Sequence, residues 1–166
     1  MPDRGGGVVS TGRIPWIGLA IYAVGMALVE AACVVTLKRL YFPEGWTPPF
    51  HPIPADGLRL EQWREVATLV MIAAVAFLGR PPIREGVARG LWIFGLWDLC
   101  YYLFLRILTG FPARLGDRDV IFLVPRPWIA PVWVACLASS TCLVAAHVLA
   151  RRGLRQTRQG GAPGGR

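Results

Sequence analysis

The stretch IPWIGLAIYAVGMALVEAACVVTL, Ile14 to Leu37, decides the fold class. It runs about 24 residues with Glu30 as its one charged residue, and a helix needs only roughly 20 apolar residues to cross a bilayer. Three further apolar stretches follow, Trp63 to Gly79, Gly90 to Thr109 and Trp128 to Ala150. The pattern predicts an all-α protein, a four-transmembrane-helix bundle with two ordered Pro/aromatic-rich loops on the outer side. Residues 14–150 form the helical domain in this reading, 1–13 a disordered glycine-rich N-terminus and 151–166 a basic disordered tail.

Composition agrees. The chain has 166 residues and is 54% hydrophobic, with a mean hydropathy of +0.46, too apolar and too blocky for an ordinary soluble domain. Four spans and their connections use up the length, so no separate soluble catalytic domain is expected. The first apolar run exceeds the roughly 7–15 residues of a signal h-region, and no small-x-small site follows it before Lys38, so it reads as a retained span.

The net charge of +8 raises the question of nucleic acid. The basic residues instead lie at span ends and in the tail, not in a patch interleaved with exposed aromatics, so no nucleic-acid partner is expected. Topology explains them more simply. With four spans, both termini and the Arg80–Arg89 connection share one side, which carries ten basic residues against eight on the other. The expectation is a bacterial cytoplasmic (inner) membrane with both termini cytoplasmic. The lipid bilayer is then the first partner, and the arginine-rich tail adds attraction to anionic headgroups at about 1 kcal/mol per basic residue.

The connections differ in character. Arg80-Pro81-Pro82-Ile83-Arg84-Glu85 is a tight turn that makes spans two and three antiparallel neighbours. Tyr41 to Leu60 carries Pro43, Pro48, Pro49, Pro52 and Pro54 with Trp46 and Phe50, which favours a stiff extended cover. In Phe111 to Pro127 the run Val120-Ile121-Phe122-Leu123-Val124 is too short to span and reads as an interfacial or re-entrant piece. Helix packing is expected along Ala23, Ala27 and Ala31 on span one, and along Ala135, Ser139 and Cys142 on span four.

Three acids carry the functional signal: Glu30 and Asp98 inside spans, and Glu65 at the entrance of the second. An ionisable group at membrane depth costs on the order of 2.5–3.5 kcal/mol on insertion scales, so it has a job or a partner. With each span's midpoint at the bilayer centre, Asp98 lies near the midplane, Glu30 about 7 Å and Glu65 about 9 Å toward the outer face, and His147 about 12 Å the other way. The acids can therefore share one outer-half cavity that His147 does not reach. Tyr101 and Tyr102 follow Asp98 at helical spacing, with Arg106 a turn further on. Tyr102 is expected to support the acids, and Arg39 or Arg106 to set the charge. Arg64 is expected to point away from Glu65.

Three roles compete for this set. Hard cations take oxygen ligands, so Glu30, Glu65 and Asp98 form a candidate divalent-metal site. Buried acids also trade protons. The plain alternative is structural, with Arg39, Arg64 or Arg106 neutralising the acids. A di-iron site would need Glu-x-x-His, but Cys33, Thr68 and Tyr101 stand third after the acids. A b-type haem would have only His147 inside a span, which disfavours haem. Cys33, Cys100, Cys136 and Cys142 contain no Cys-x-x-Cys pair and read as buried small hydrophobes. No Gly-rich phosphate loop or nucleophile elbow is present, so catalytic residues stay unassigned.

The segments Glu30, Arg39-Leu40-Tyr41-Phe42-Pro43-Glu44-Gly45-Trp46, Arg64-Glu65-Val66-Ala67-Thr68 and Trp97-Asp98-Leu99-Cys100-Tyr101-Tyr102 carry a resemblance. It continues through Gly110-Phe111-Pro112, Asp119, Phe122-Leu123, Pro125, Pro127-Trp128 and Pro131-Val132. Over Glu30 to Val132 the chain resembles a family of small bacterial four-span membrane proteins to which no reaction is assigned. The resemblance implies the four-span fold and supplies no catalytic roles. Two functions follow as expectations: a membrane protein binding a metal ion, cation or polar ligand at Glu30, Glu65 and Asp98, or an accessory subunit that meets other membrane subunits.

Overall fold

The computed structural model describes residues 15–41 and 54–160, with side chains described as far as 152. Helix α1 spans Trp16–Tyr41, α2 Ala55–Ala76, α3 Ile83–Thr109 and α4 Val132–Gly160; strands β1 Arg118–Phe122 and β2 Trp128–Pro131 lie between α3 and α4. The proline-rich stretch at 42–53, with His51, lies outside the described residues, as do 1–14 and 161–166.

Proline and glycine set the helix limits. Pro54 and Pro82 precede α2 and α3 in an extended conformation (ψ 143° and 144°), which a preceding helix could not continue through. Helix α3 stops at Gly110, whose φ of 78° lets its N–H reach back to the Arg106 carbonyl. Helix α4 starts directly from β2, and the N–H groups of Val132 and Trp133 donate to the carbonyls of Asp117 and Leu115, each at 2.9 Å. Those bonds satisfy donors that a helix start otherwise leaves unpaired.

Three helices, Trp16–Tyr41, Ile83–Thr109 and Val132–Arg152 within α4, are long and apolar enough to cross a membrane. The protein is thus mostly helical, with features consistent with a membrane protein. Helix α2 is not among the three; Asp56, Arg59, Glu61, Arg64 and Glu65 crowd its first half. It also begins earlier than expected, because Ala55 to Leu60 is already helix. The all-α expectation needs a second correction. Val120 to Phe122 belongs to an antiparallel hairpin, with Asp119 opposite Ala130 and Phe122 opposite Trp128 around a bulge. Pairing with the Trp128–Pro131 strand satisfies backbone groups that an isolated interfacial segment would leave to solvent.

Helix α3 is the centre of the bundle. It packs on α1, α2 and α4, whereas no pair of α1 and α2 residues brings its Cα atoms within 8 Å. The expected small-residue ridge on α1 holds, since Ala23, Ala27 and Ala31 are all fully buried. Ala23 and Ala27 share a cluster with Ile72, Ala76, Ile93 and Trp97. On α4, Ala135 and Ser139 are buried, while Cys142 is only partly covered. Gly95 of α3 brings the backbones close: a Cβ there would sit 2.6 Å from the Ser139 carbonyl oxygen. Large apolar side chains face outward instead, among them Ile17, Ile21, Val24 and Leu28 on α1 and Leu137, Val144 and Val148 on α4.

Candidate functional site

The buried stripe of α2 explains where the polar groups go. Gly57, Glu61, Glu65, Thr68, Ile72 and Ala76 recur at helical spacing, polar in the first half and apolar in the second. The apolar half joins the core, and the polar half lines a cavity of about 120 Å³. Helix α1 contributes Glu30, Lys38 and Tyr41, and α2 contributes Glu61, Arg64 and Glu65. Helix α3 adds Trp97, Asp98, Tyr101 and Tyr102, and the hairpin side adds Asp119 and Leu123. The cavity lies at the end of the bundle opposite the α2–α3 turn. Among the described residues five carboxylates line it against two basic groups.

The acids divide among separate partners, with Glu30 and Glu61 sharing one. Glu30 pairs with Arg64, whose Nε also reaches Glu61 at 2.9 Å. The Thr68 hydroxyl approaches Glu30 at 3.4 Å. Glu65 accepts the N–H groups of Leu123 at 2.8 Å and Val124 at 3.4 Å, while Gln62 donates to the Leu123 carbonyl at 3.1 Å. Two residues one turn apart on α2 thus grip both backbone groups of Leu123. Asp98 accepts from the Ser139 hydroxyl at 2.6 Å. Tyr102 hydrogen-bonds to Asp119, and the Lys38 charge acts on the same carboxylate. Burial pushes the Asp119 carboxyl above its usual range, against the pull of Lys38, the Val120 N–H and Tyr102.

Of the residues expected from the sequence, Glu30, Glu65, Asp98 and Tyr102 line this one cavity. Among the described residues no group of three or more histidine, cysteine or carboxylate side chains is placed to hold a metal ion. The physical reason is that Glu30 is held by Arg64, Glu65 by backbone amides and Asp98 by Ser139. Arg39 is exposed at the end of α1 and does not line the cavity. Arg106 is exposed too and bonds the carbonyls of Gly110 and Pro112, where a cation complements a helix C-terminus. Arg64, expected to point elsewhere, supplies the charge instead. His147 is exposed on α4, away from the cavity.

Sequence reasoning missed Glu61, Lys38 and Asp119. Glu61 fell between the expected loop, which ended at Leu60, and the span from Trp63, yet its spacing of four from Glu65 was a usable signal. Asp119 occupies an inward position in a strand, and only the hairpin register brings it to α3. Comparison with protein families, with curated proteins and with solved structures finds no match.

Proposed function

We propose that this is a multi-pass protein of the bacterial cytoplasmic membrane that binds a small cation or polar ligand in the cavity between α1, α2, α3 and the hairpin. In this reading α2 crosses the bilayer as the fourth span. Its 22 residues would reach about 33 Å as helix. The charges that lower its hydropathy include Glu61 and Glu65 on its inward stripe, while Val70, Met71, Phe77 and Leu78 face out. The two termini lie on the side richer in arginine, so the cavity opens toward the outer leaflet. The resemblance to small bacterial four-span proteins is part of the same reading.

The observation that carries the ligand assignment is the charge imbalance, five carboxylates and two basic groups among the described residues around one partly enclosed space. Clustered negative charge in low dielectric attracts a cation. The test is thermal unfolding of the purified protein against a panel of inorganic cations and small amines. At least one is expected to raise the Tm of the wild type, and the rise should vanish in Asp98→Asn. A panel without effect would remove the ligand-binding reading.

A second reading, an accessory subunit of a membrane complex, draws on α2. Among the described elements that helix packs its backbone on α3, and it exposes Leu60 and Trp63 beside its charged half. Copurification of stoichiometric membrane subunits in native detergent would favour it; a lone chain would count against it.

A further inference from the structure

We infer that the tip of the hairpin, residues 123–127, is a lid on the cavity, latched from α2 by Glu65 and Gln62 and hinged where it joins the strands. This goes beyond the ligand-binding reading and stands apart from it, because lid motion is read without any ligand.

The strands are anchored on one side of the bundle. Among the described elements, β1 and β2 bring their Cα atoms within 8 Å of α4 and of no other helix. The N–H groups of Val132 and Trp133 tie the start of α4 to the Asp117 and Leu115 carbonyls just before β1. Side chains add to this hold. Ile121 packs against the cluster of Tyr102, Val132 and Ala135, and Phe122 stacks on Phe94 with ring centroids 6.1 Å apart. Tyr102 also hydrogen-bonds to Asp119. The strand ladder therefore belongs with α3 and α4.

The tip is held differently. The ladder is interrupted by a bulge between Val120 and Phe122, and Phe122 opposite Trp128 is its last pair. Beyond that pair Pro125 and Pro127 have no N–H to donate. What brings the tip to α2 is a set of side-chain bonds: Glu65 accepts the Leu123 and Val124 N–H groups, and Gln62 donates to the Leu123 carbonyl. A loop held by a few such bonds opens at a lower free energy than the fold as a whole. Leu123 and Glu65 both line the cavity, so the latch is part of its wall. Its release lets Leu123 leave that wall and opens the cavity on the α2 side, while the strands stay in place.

The test uses the full chain in nanodiscs, with Cys33, Cys100, Cys136 and Cys142 replaced by alanine. Spin labels at Arg59→Cys on α2 and Arg126→Cys on the tip, both exposed positions, report the distance between lid and latch. In separate samples Val34→Cys, a cavity-lining position on α1, is labelled with a small, neutral, polar thiol reagent. Ile72→Cys, in the apolar core, is the control. Each is compared with and without the latch, removed by Glu65→Leu together with Gln62→Ala. Latch removal is expected to add a population at longer distance. It should also speed labelling of Val34→Cys at least about tenfold, the scale of one hydrogen bond to a charged group, and leave Ile72→Cys slow. An unchanged distance distribution or an unchanged rate at Val34→Cys overturns the inference. Equal acceleration at Ile72→Cys overturns it too, since the whole bundle would then be loosening. Gln62→Ala alone keeps the Glu65 bonds and should raise the Val34→Cys rate by less. If the double variant does not fold, this single one decides, and no rise overturns the lid. Failure of the cation and amine panel would leave all these outcomes standing.

Discussion

Glu30 of α1 and Arg64 of α2 form an ion pair across two helices whose backbones do not otherwise meet. Their side chains are 12% and 23% exposed, so the pair is largely shielded from water. Removing one partner of a buried pair costs about 3–5 kcal/mol, whereas exposed pairs contribute about 0–1. Glu30→Gln is therefore expected to destabilise the protein by about 2 kcal/mol, between these limits. Arg64→Gln should cost more, because it strips both Glu30 and Glu61 of their partner. Thermal unfolding in detergent measures both; a Glu30→Gln variant as stable as wild type would refute the coupling.

The grip of α2 on the hairpin makes a local prediction. Glu65 and Gln62 hold the backbone of Leu123, so Glu65→Leu should speed amide exchange at Leu123 and Val124. The Val132 and Trp133 amides bond to loop carbonyls independently and should stay protected. Uniform acceleration across all four would mean that the fold as a whole had loosened instead.

Close packing of α3 on α4 depends on a missing side chain. In Gly95→Ala the new Cβ would lie 2.6 Å from the Ser139 carbonyl and 2.9 Å from Leu143, forcing the helices apart. Overpacking of this kind costs about 1–3 kcal/mol. At Gly90 the nearest atom would be the Ala76 Cβ at 3.5 Å, an ordinary contact. Gly90→Ala should hold or raise the Tm, since alanine is the better helix former. Equal losses at both positions would contradict this packing.

Asp119 sets a pH dependence. Its carboxyl is raised above the model-compound value of 3.8, chiefly by burial. A raised carboxyl favours the protonated form in the folded state, so its contribution to stability is present below 3.8 and is lost as pH climbs through the folded pKa. Asp119→Asn removes that loss. The stability of the variant relative to wild type should therefore increase as pH rises from about 4 toward neutrality. Paired Tm measurements across that range check the sign, and a trend in the opposite direction would show that Lys38 and Tyr102 outweigh burial.

Much of the helical plan was legible because it rests on runs of apolar residues. Ile14 to Leu37 and Gly90 to Thr109 both fall largely within helices apolar enough to cross a membrane. Helix α2 was legible only from Trp63 on, because a hydropathy profile averages over all faces and counts an inward Glu61 as strongly as an outward one. The convergence of Glu30, Glu65 and Asp98 followed from depth along each helix, a one-dimensional quantity that spacing supplies. Partner choice did not follow, because it depends on rotation about each axis and on neighbours distant in sequence. Arg106 turned to its own helix end, Tyr102 turned to Asp119, and Ser139 came from α4 to meet Asp98.

The position of α3 has a consequence for biogenesis. In the proposed four-span topology, α1 and α2 enter the bilayer with little between their backbones to hold them together. Among the described residues, the Glu30–Arg64 pair and the Thr68 hydroxyl on Glu30 are the polar links between these two helices. Arrival of α3 provides both with their packing surface at once, and Gly95 then receives α4. In that topology assembly would be ordered around the third helix, and a truncation that removes it would leave the earlier pair without a scaffold.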